Sequence, residues 1–207
     1  MHALRSGGEF DVVALLTSVT AGYDRISIHG VRRELLERQA RELGLPLVTI
    51  GLEPACSNAE YEAAFHRALE QLGREHPAVS RIAFGDLYLA EVRDYRDRLL
   101  SGTNYTGLYP LWEQPTAALA EAFVADGFKA TLVCVDTTQI DGAFAGRSFD
   151  AALLADLPRT ADPCGENGEF HTFVHDGPIF GRPLNVERGD VVLREGRFMY
   201  CDLLATD

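Results

Sequence analysis

Residues 165–172, GENGEFHT, hold two carboxylates three positions apart, Glu166 and Glu169, in a loop that also contains Gly165 and Gly168. Glycines let a backbone take angles closed to other residues and approach a ligand closely. Carboxylates in such a loop suit a bound cation or polar substrate; the alternative is a solvated acidic turn ahead of the strand-like FHTFVH. A second stretch, FGD at 84–86, ends an apolar run. Gly85 there permits close backbone approach, and Asp86 either faces a ligand or its metal or caps the following helix. Arg93 and Arg96 lie one helical turn apart and could reach phosphate or carboxylate, or form a solvated ion-paired face with Asp94 and Asp97. His171 and His175 read as strand residues on one face, and no motif completes a zinc site around them.

Ser6-Gly7-Gly8 invites comparison with a phosphate-binding loop. Such a loop needs a strand before it and a helix after it, so that backbone N–H groups meet the anion. Here the order is reversed. MHALR reads as a helix end and FDVVALLTSV (10–19) as a strand, so the glycines terminate a helix, whose carbonyl end repels phosphate.

The elements that position these residues alternate. After the strand at 10–19 comes a helix at 29–44, with apolar Val31, Leu35, Leu36 and Leu43, a closing Gly44 and Pro46 soon after. A strand (46–52) precedes a helix at about 58–73, opened by Ser57 and Glu60 as a capping box. A third strand (79–87) and a helix (90–102) follow. This order predicts an α/β domain with a parallel sheet and ligands beyond the carboxyl ends of its strands. SGTNYTGLYPLWEQP (101–115), rich in Gly, Tyr, Pro and Thr, marks a boundary, so residues 1–105 and 106–207 are expected to form two domains. The second holds a helix (116–126), a strand (129–136), a helix near 149–156 and a hairpin at 190–204 turning at Glu195-Gly196. Trp112 is expected to pack at the domain junction.

The 207 residues have a formal net charge of -12 and are 46% hydrophobic. That composition gives a real core and opposes broad electrostatic binding to nucleic acid or anionic membrane. No apolar run approaches the ~20 residues of a membrane span, and the start lacks a secretory pattern. The four cysteines form no C-x-x-C pair and are read as reduced thiols of a cytoplasmic protein.

Four stretches in order, GYDRISIHGVRRELLERQARELGLPL, FGDLYLAEVRDYR, LYPLW and DPCGENGEFHTFVHDGPIF, resemble the diphthine–ammonia ligase (diphthamide synthase) family of ATP pyrophosphatases, over nearly the whole chain. GENGEFHT is the most specific piece and looks like the family's G-E-x-G-E-[FY]-x-T signature, with His171 where a glutamate is usual. The resemblance implies an adenine nucleotide α-hydrolase-like domain followed by a smaller α/β domain. It implies carboxylate adenylation by ATP, with Mg2+, and then attack by ammonia to leave an amide, AMP and pyrophosphate. It assigns Glu166 and Glu169 to catalysis. Thr17, Tyr23, His29, Gly85 and Asp86 are assigned to the nucleotide, although a histidine ahead of a helix also serves as a cap or a packed side chain. Arg93, Gly165, Asn167, Gly168, Phe170, His171 and Thr172 are assigned to the substrate. Carboxylates with Phe170 suit the trimethylammonium group of diphthine, and the same carboxylates suit ammonium. The implied partners are ATP, ammonia and a carboxylate, which is diphthine on an elongation factor where the source has one. Nucleic acid is disfavoured, and a homodimer is admitted.

One departure is large. The family's S-G-G-K-D-S loop, between its first strand and first helix, is missing, and with it the lysine that offsets charge on the pyrophosphate. Either the true start is expected ~20 residues upstream, or the chain is a truncated or repurposed relative. The competing expectations are therefore a non-catalytic nucleotide-binding protein and, against the acidic charge and the unpaired cysteines, a tRNA-modifying ATP pyrophosphatase.

Overall fold

The computed structural model describes residues 1–206. A short helix α1 (His2–Gly7) ends at Gly8, whose φ of 67° is the left-handed cap expected of that glycine. Strand β1 (Leu15–Thr20) pairs in parallel with β3 (Leu47–Leu52), Leu15 opposite Leu47 through Thr20 opposite Leu52, and antiparallel with the two-residue β2 (Arg25–Ile26). Between them α2 (Arg33–Glu42) forms where the apolar spacing placed it. Val31, Leu35, Leu36 and Leu43 are all buried. Helix α3 (Asn58–Glu75) carries the Ser57–Glu60 capping box, with Ser57 Oγ accepting from the Glu60 amide and Glu60 accepting from Ser57.

Strand β4 (Arg81–Ala83) pairs in parallel with β5 (Thr106–Leu108), and α4 (Ala90–Leu100) connects them. The expected parallel pairing of β1 with β3 is present, but β4 joins neither of them and pairs instead with β5, a strand the sequence did not announce. No strand among the described residues joins β1 to β4. Instead a cleft of about 2720 Å³ is lined by both, through Leu15–Ser18 and Arg81–Ala83. Because β5 pairs with β4, residues 106–108 belong to the first half's architecture despite lying in the boundary stretch.

The remaining chain forms α5 (Thr116–Ala125), β6 (Lys129–Asp136), α6 (Ala151–Asp156), β7 (Phe170–Asp176), β8 (Val186–Arg194) and β9 (Phe198–Ala205). The four strands make an antiparallel sheet in the order β7-β6-β9-β8. The hairpin turns at Glu195 and Gly196, whose φ values are 52° and 63°, within a three-residue loop that sets Arg194 opposite Phe198. No helix among the described residues is long and apolar enough to cross a membrane.

The halves share a core. Val31 and Leu35 pack with Val133, Phe173, Leu184 and Leu203. Beside it, Asp202 on β9 binds both Arg25 (2.8 Å) and Arg32 (2.5 Å), and Arg25 also donates to the Gly30 carbonyl at 2.6 Å. Burial pushes the Asp202 pKa up, but the two guanidiniums override this and hold it at about 2. Its stabilisation is therefore present above the ordinary carboxylate pKa and lost as pH falls from about 4 towards 2. Asp202→Ala is expected to cost about 2 kcal/mol, because it strands two part-buried cations. Urea denaturation at pH 7 reads this loss, which disappears at pH 2.

Candidate functional site

The cleft gathers residues from both halves. Thr17, Tyr23, His29 and Gly85, four of the five positions assigned to the nucleotide, line it together with Thr172 of the substrate set. Thr17 lies on β1, and Tyr23, 67% exposed, sits in the turn that follows. Gly85 follows β4, in the direction where parallel strands leave room for ligands. Asp86, the fifth position, is not on the lining. Its carboxylate lies 3.7 Å from Arg96 Nε, and Arg96 does line the cleft. Asp86 Oδ2 and Arg96 Nε are the only buried side-chain N or O atoms without a hydrogen-bond partner among the described residues. Buried polar groups are rarely left so, and a ligand is one way to satisfy them.

His29 and His171 meet with ring centroids 4.5 Å apart. Burial lowers the His29 pKa, opposed by a bond with the Thr172 backbone. Burial, then repulsion by His29, lowers His171 to about 4. Both rings are neutral at pH 7. His175 instead sits 3.4 Å from Thr131 Oγ1, so the two β7 histidines have separate partners. No cluster of three His, Cys, Asp or Glu side chains suited to a metal occurs among the described residues.

The GENGEF loop is a network of backbone donors around carboxylates. Glu169 is 2% exposed. Its Oε1 accepts from the Asp162 amide (2.7 Å) and Asn167 Nδ2 (3.0 Å), and its Oε2 from the Asn167 amide (3.0 Å). Gly165 and Gly168, with φ of 71° and 81°, turn the chain so that these N–H groups point inwards. Glu166 reaches out of the loop. Its Oε1 accepts from the Leu87 amide at 2.7 Å and, more weakly, from the Tyr88 amide at 3.4 Å. Tyr88 returns the contact, its hydroxyl donating to Asn167 Oδ1 at 3.1 Å. The loops after β4 and before β7 are thus tied together. Glu166→Ala is expected to cost about 1 kcal/mol and to accelerate hydrogen exchange at the Leu87 and Tyr88 amides, read by NMR, with little change at β6.

Two substrate candidates sit elsewhere. Phe170 is 3% exposed and packs in the core beside Phe149, so its ring is not offered to a cation. The residue alternation of β7 puts it inward. Arg93 lies over Tyr109 (4.8 Å) and Trp112 (4.7 Å), away from the cleft lining. The sequence reading missed Tyr88, 40% exposed beside the loop, and Asp162, whose carboxylate accepts from the Cys164 amide. Their positions next to FGD and GENGEF were the only signals. Burial pushes the Cys134 thiol up to about 11 and Cys164 to about 12, so neither is a thiolate at neutral pH.

Residues 115–201 match the diphthamide synthase C-terminal domain family. The chain is 24% identical over 208 residues to a diphthine–ammonia ligase of Schizosaccharomyces pombe, covering 93% of this chain and 34% of that protein. It is 24% identical over 179 residues to the diphthine–ammonia ligase of Homo sapiens, covering 84% of this chain and 66% of that protein. The chain thus spans about a third of the fission-yeast relative and under two thirds of the human one.

Proposed function

We propose, from the chain's similarity to diphthine–ammonia ligases and to their C-terminal domain family, that its cleft holds an adenine nucleotide while the GENGEF loop presents a substrate carboxylate for ATP-dependent amide formation. The observation that carries this is the 2.7 Å bond from the Leu87 amide to Glu166, which ties the GENGEF loop to the segment after Gly85, a residue that lines the same cleft as Thr17, Tyr23 and His29. In this reading a carboxylate oxygen attacks the α-phosphorus of ATP, pyrophosphate leaves, and ammonia displaces AMP from the acyl-adenylate. Each step balances without a redox partner.

Thr17 and Tyr23 flank adenine and ribose. Arg96, on the cleft lining and held 3.7 Å from Asp86, offers its guanidinium to the phosphates. The neutral His29–His171 pair places no positive charge beside an arriving ammonium, which must shed a proton before ammonia attacks. Glu169 shapes the loop and Glu166 fixes its distance from the nucleotide, so both carboxylates position the substrate. Tyr88, exposed and close to Asp162 and Glu166, is the aromatic that suits a quaternary cation in place of Phe170. A nucleotide-borne Mg2+ would be held by phosphate oxygens and water, with Asp86 as the nearby carboxylate.

The test uses a diphthine-bearing elongation factor, ammonium and ATP labelled at the α-phosphate. AMP formation matched by conversion of the carboxylate to an amide supports the reading. Absence of AMP above the background without elongation factor rejects it for that substrate. A second reading is a protein that binds the nucleotide without adenylating anything. AMP binding without turnover is its signature.

A further inference from the structure

Strand β8 is an edge of the antiparallel sheet, with β9 as its sole strand partner. It is nine residues long, and its last five residues, Asp190–Arg194, are all exposed. Three of these are large and apolar in a row: Val191 (46%), Val192 (36%) and Leu193 (48%). Leu204 on the neighbouring strand is exposed too, at 38%. Folded proteins usually blunt such edges, because unpaired N–H and C=O groups beside apolar side chains template pairing with another chain. The bulge between Arg188 and Val191 guards the first part of the strand, and the stretch after it is regular.

We propose that this edge pairs antiparallel with the same edge of a second copy, about a two-fold axis at Val192. An antiparallel pairing about an axis normal to the sheet keeps paired side chains on one face. With Val192 on the axis, Val191 of each copy faces Leu193 of the other, and Asp190 faces Arg194 twice. Asp190, Val192 and Arg194 share a face, since all three line the cleft side. Neighbouring registers are worse. Val191 on the axis sets Arg188 against Arg194 and Glu187 against Glu195. Leu193 on the axis sets Val191 against Glu195 and Val192 against Arg194. Charge and apolar pattern thus select one register. The two four-stranded sheets then become one, and the association closes at two copies because each has one such edge. A pairing of this length buries less than the ~1,600 Å² of a standard interface, so the dimer is expected to exchange with monomer on dilution.

The test is the mass of the full chain by light scattering behind size exclusion, at about 100 µM. A dimer of twice 22.7 kDa is expected. Val192→Lys, which puts two ammonium groups on the axis, is expected to give monomer with unchanged circular dichroism. Asp190→Arg or Arg194→Asp alone is expected to weaken association at least tenfold, and the double exchange to restore it. Val192→Cys is expected to cross-link under oxidation, since paired Cα atoms in this geometry lie within disulfide reach. Wild-type monomer at this concentration, assembly beyond the dimer, or a dimer unmoved by Val192→Lys would each overturn the proposal. A double exchange that fails to restore association overturns the register.

Discussion

Lowering the pH from about 6.5 to 4 is expected to remove about 3 kcal/mol of folding stability through His171 alone. The folded protein holds this imidazole neutral down to about 4, by burial first and by His29 second. The unfolded chain takes up the proton near the ordinary 6.5. A depressed pKa of this kind gives stability that is complete above the unfolded value and lost as pH falls through the window. The groups facing the ring are His29, stacked at 4.5 Å, and Cys134, its cross-strand partner on β6, whose thiol stays protonated throughout. Denaturant midpoints measured at steps between pH 7 and 4 test this. His171→Phe keeps the ring contact and is expected to flatten most of the slope in that window. A slope unchanged in that variant would assign the acid sensitivity to other groups.

Glu169→Ala is expected to be the most damaging single change in the loop, at about 3 kcal/mol. It strands the amides of Asp162 and Asn167 and the Asn167 side-chain donor around a cavity that admits little water. Glu169→Gln is a sharper probe. It keeps the volume, but one of its two oxygens becomes a donor facing another donor, so most of the loss persists. Thermal melts read the stability. Amide exchange at 162–169 reads whether the loop opens locally or the whole domain unfolds. If both variants keep the wild-type melting temperature, Glu169 does not organise the loop.

Much of the architecture was legible because it depends on spacing. Val31, Leu35, Leu36 and Leu43 announce α2, and the Ser57–Glu60 pair announces the start of α3. Glu195-Gly196 announces the hairpin. Strand β1 begins at Leu15 and not at Phe10, because its partner β3 begins only at Leu47. The apolar run Phe10–Ala14 has β character but no strand to pair with. Strands β2 and β5, of two and three residues, are too short to show any period. The division of the parallel strands into two sheets is a tertiary matter that element order does not encode.

The candidate site divides in the same way. The glycines of GENGEF and the strand ends at Thr17, Tyr23 and Gly85 were legible as places where a ligand could sit, and the last three line the cleft. The work of each side chain was not. Glu166 and Glu169 look equivalent in sequence, yet one spans two loops and the other is sealed by its own loop's amides. That difference arises from which way the chain turns at Gly165 and Gly168. Phe170 reads as a cation-binding aromatic, yet it is sent into the core, and Tyr88 is the exposed aromatic beside the loop. Asp86 and Arg96, each open in sequence to a ligand or to a structural role, face one another at 3.7 Å in the fold.

The central claim is that the cleft is an adenine nucleotide site, and calorimetric titration of the 207-residue chain with AMP tests it most directly. Saturable binding at one site is predicted. Gly85→Leu supplies the control. A Cβ built at Gly85 meets nothing within 4 Å, so the backbone there accepts a side chain, and leucine narrows the cleft beside the expected ligand. That variant is predicted to melt like the wild type and to bind AMP at least tenfold more weakly, about 1.4 kcal/mol. No saturable binding by the wild type, or equal binding by the folded Gly85→Leu variant, would contradict the account.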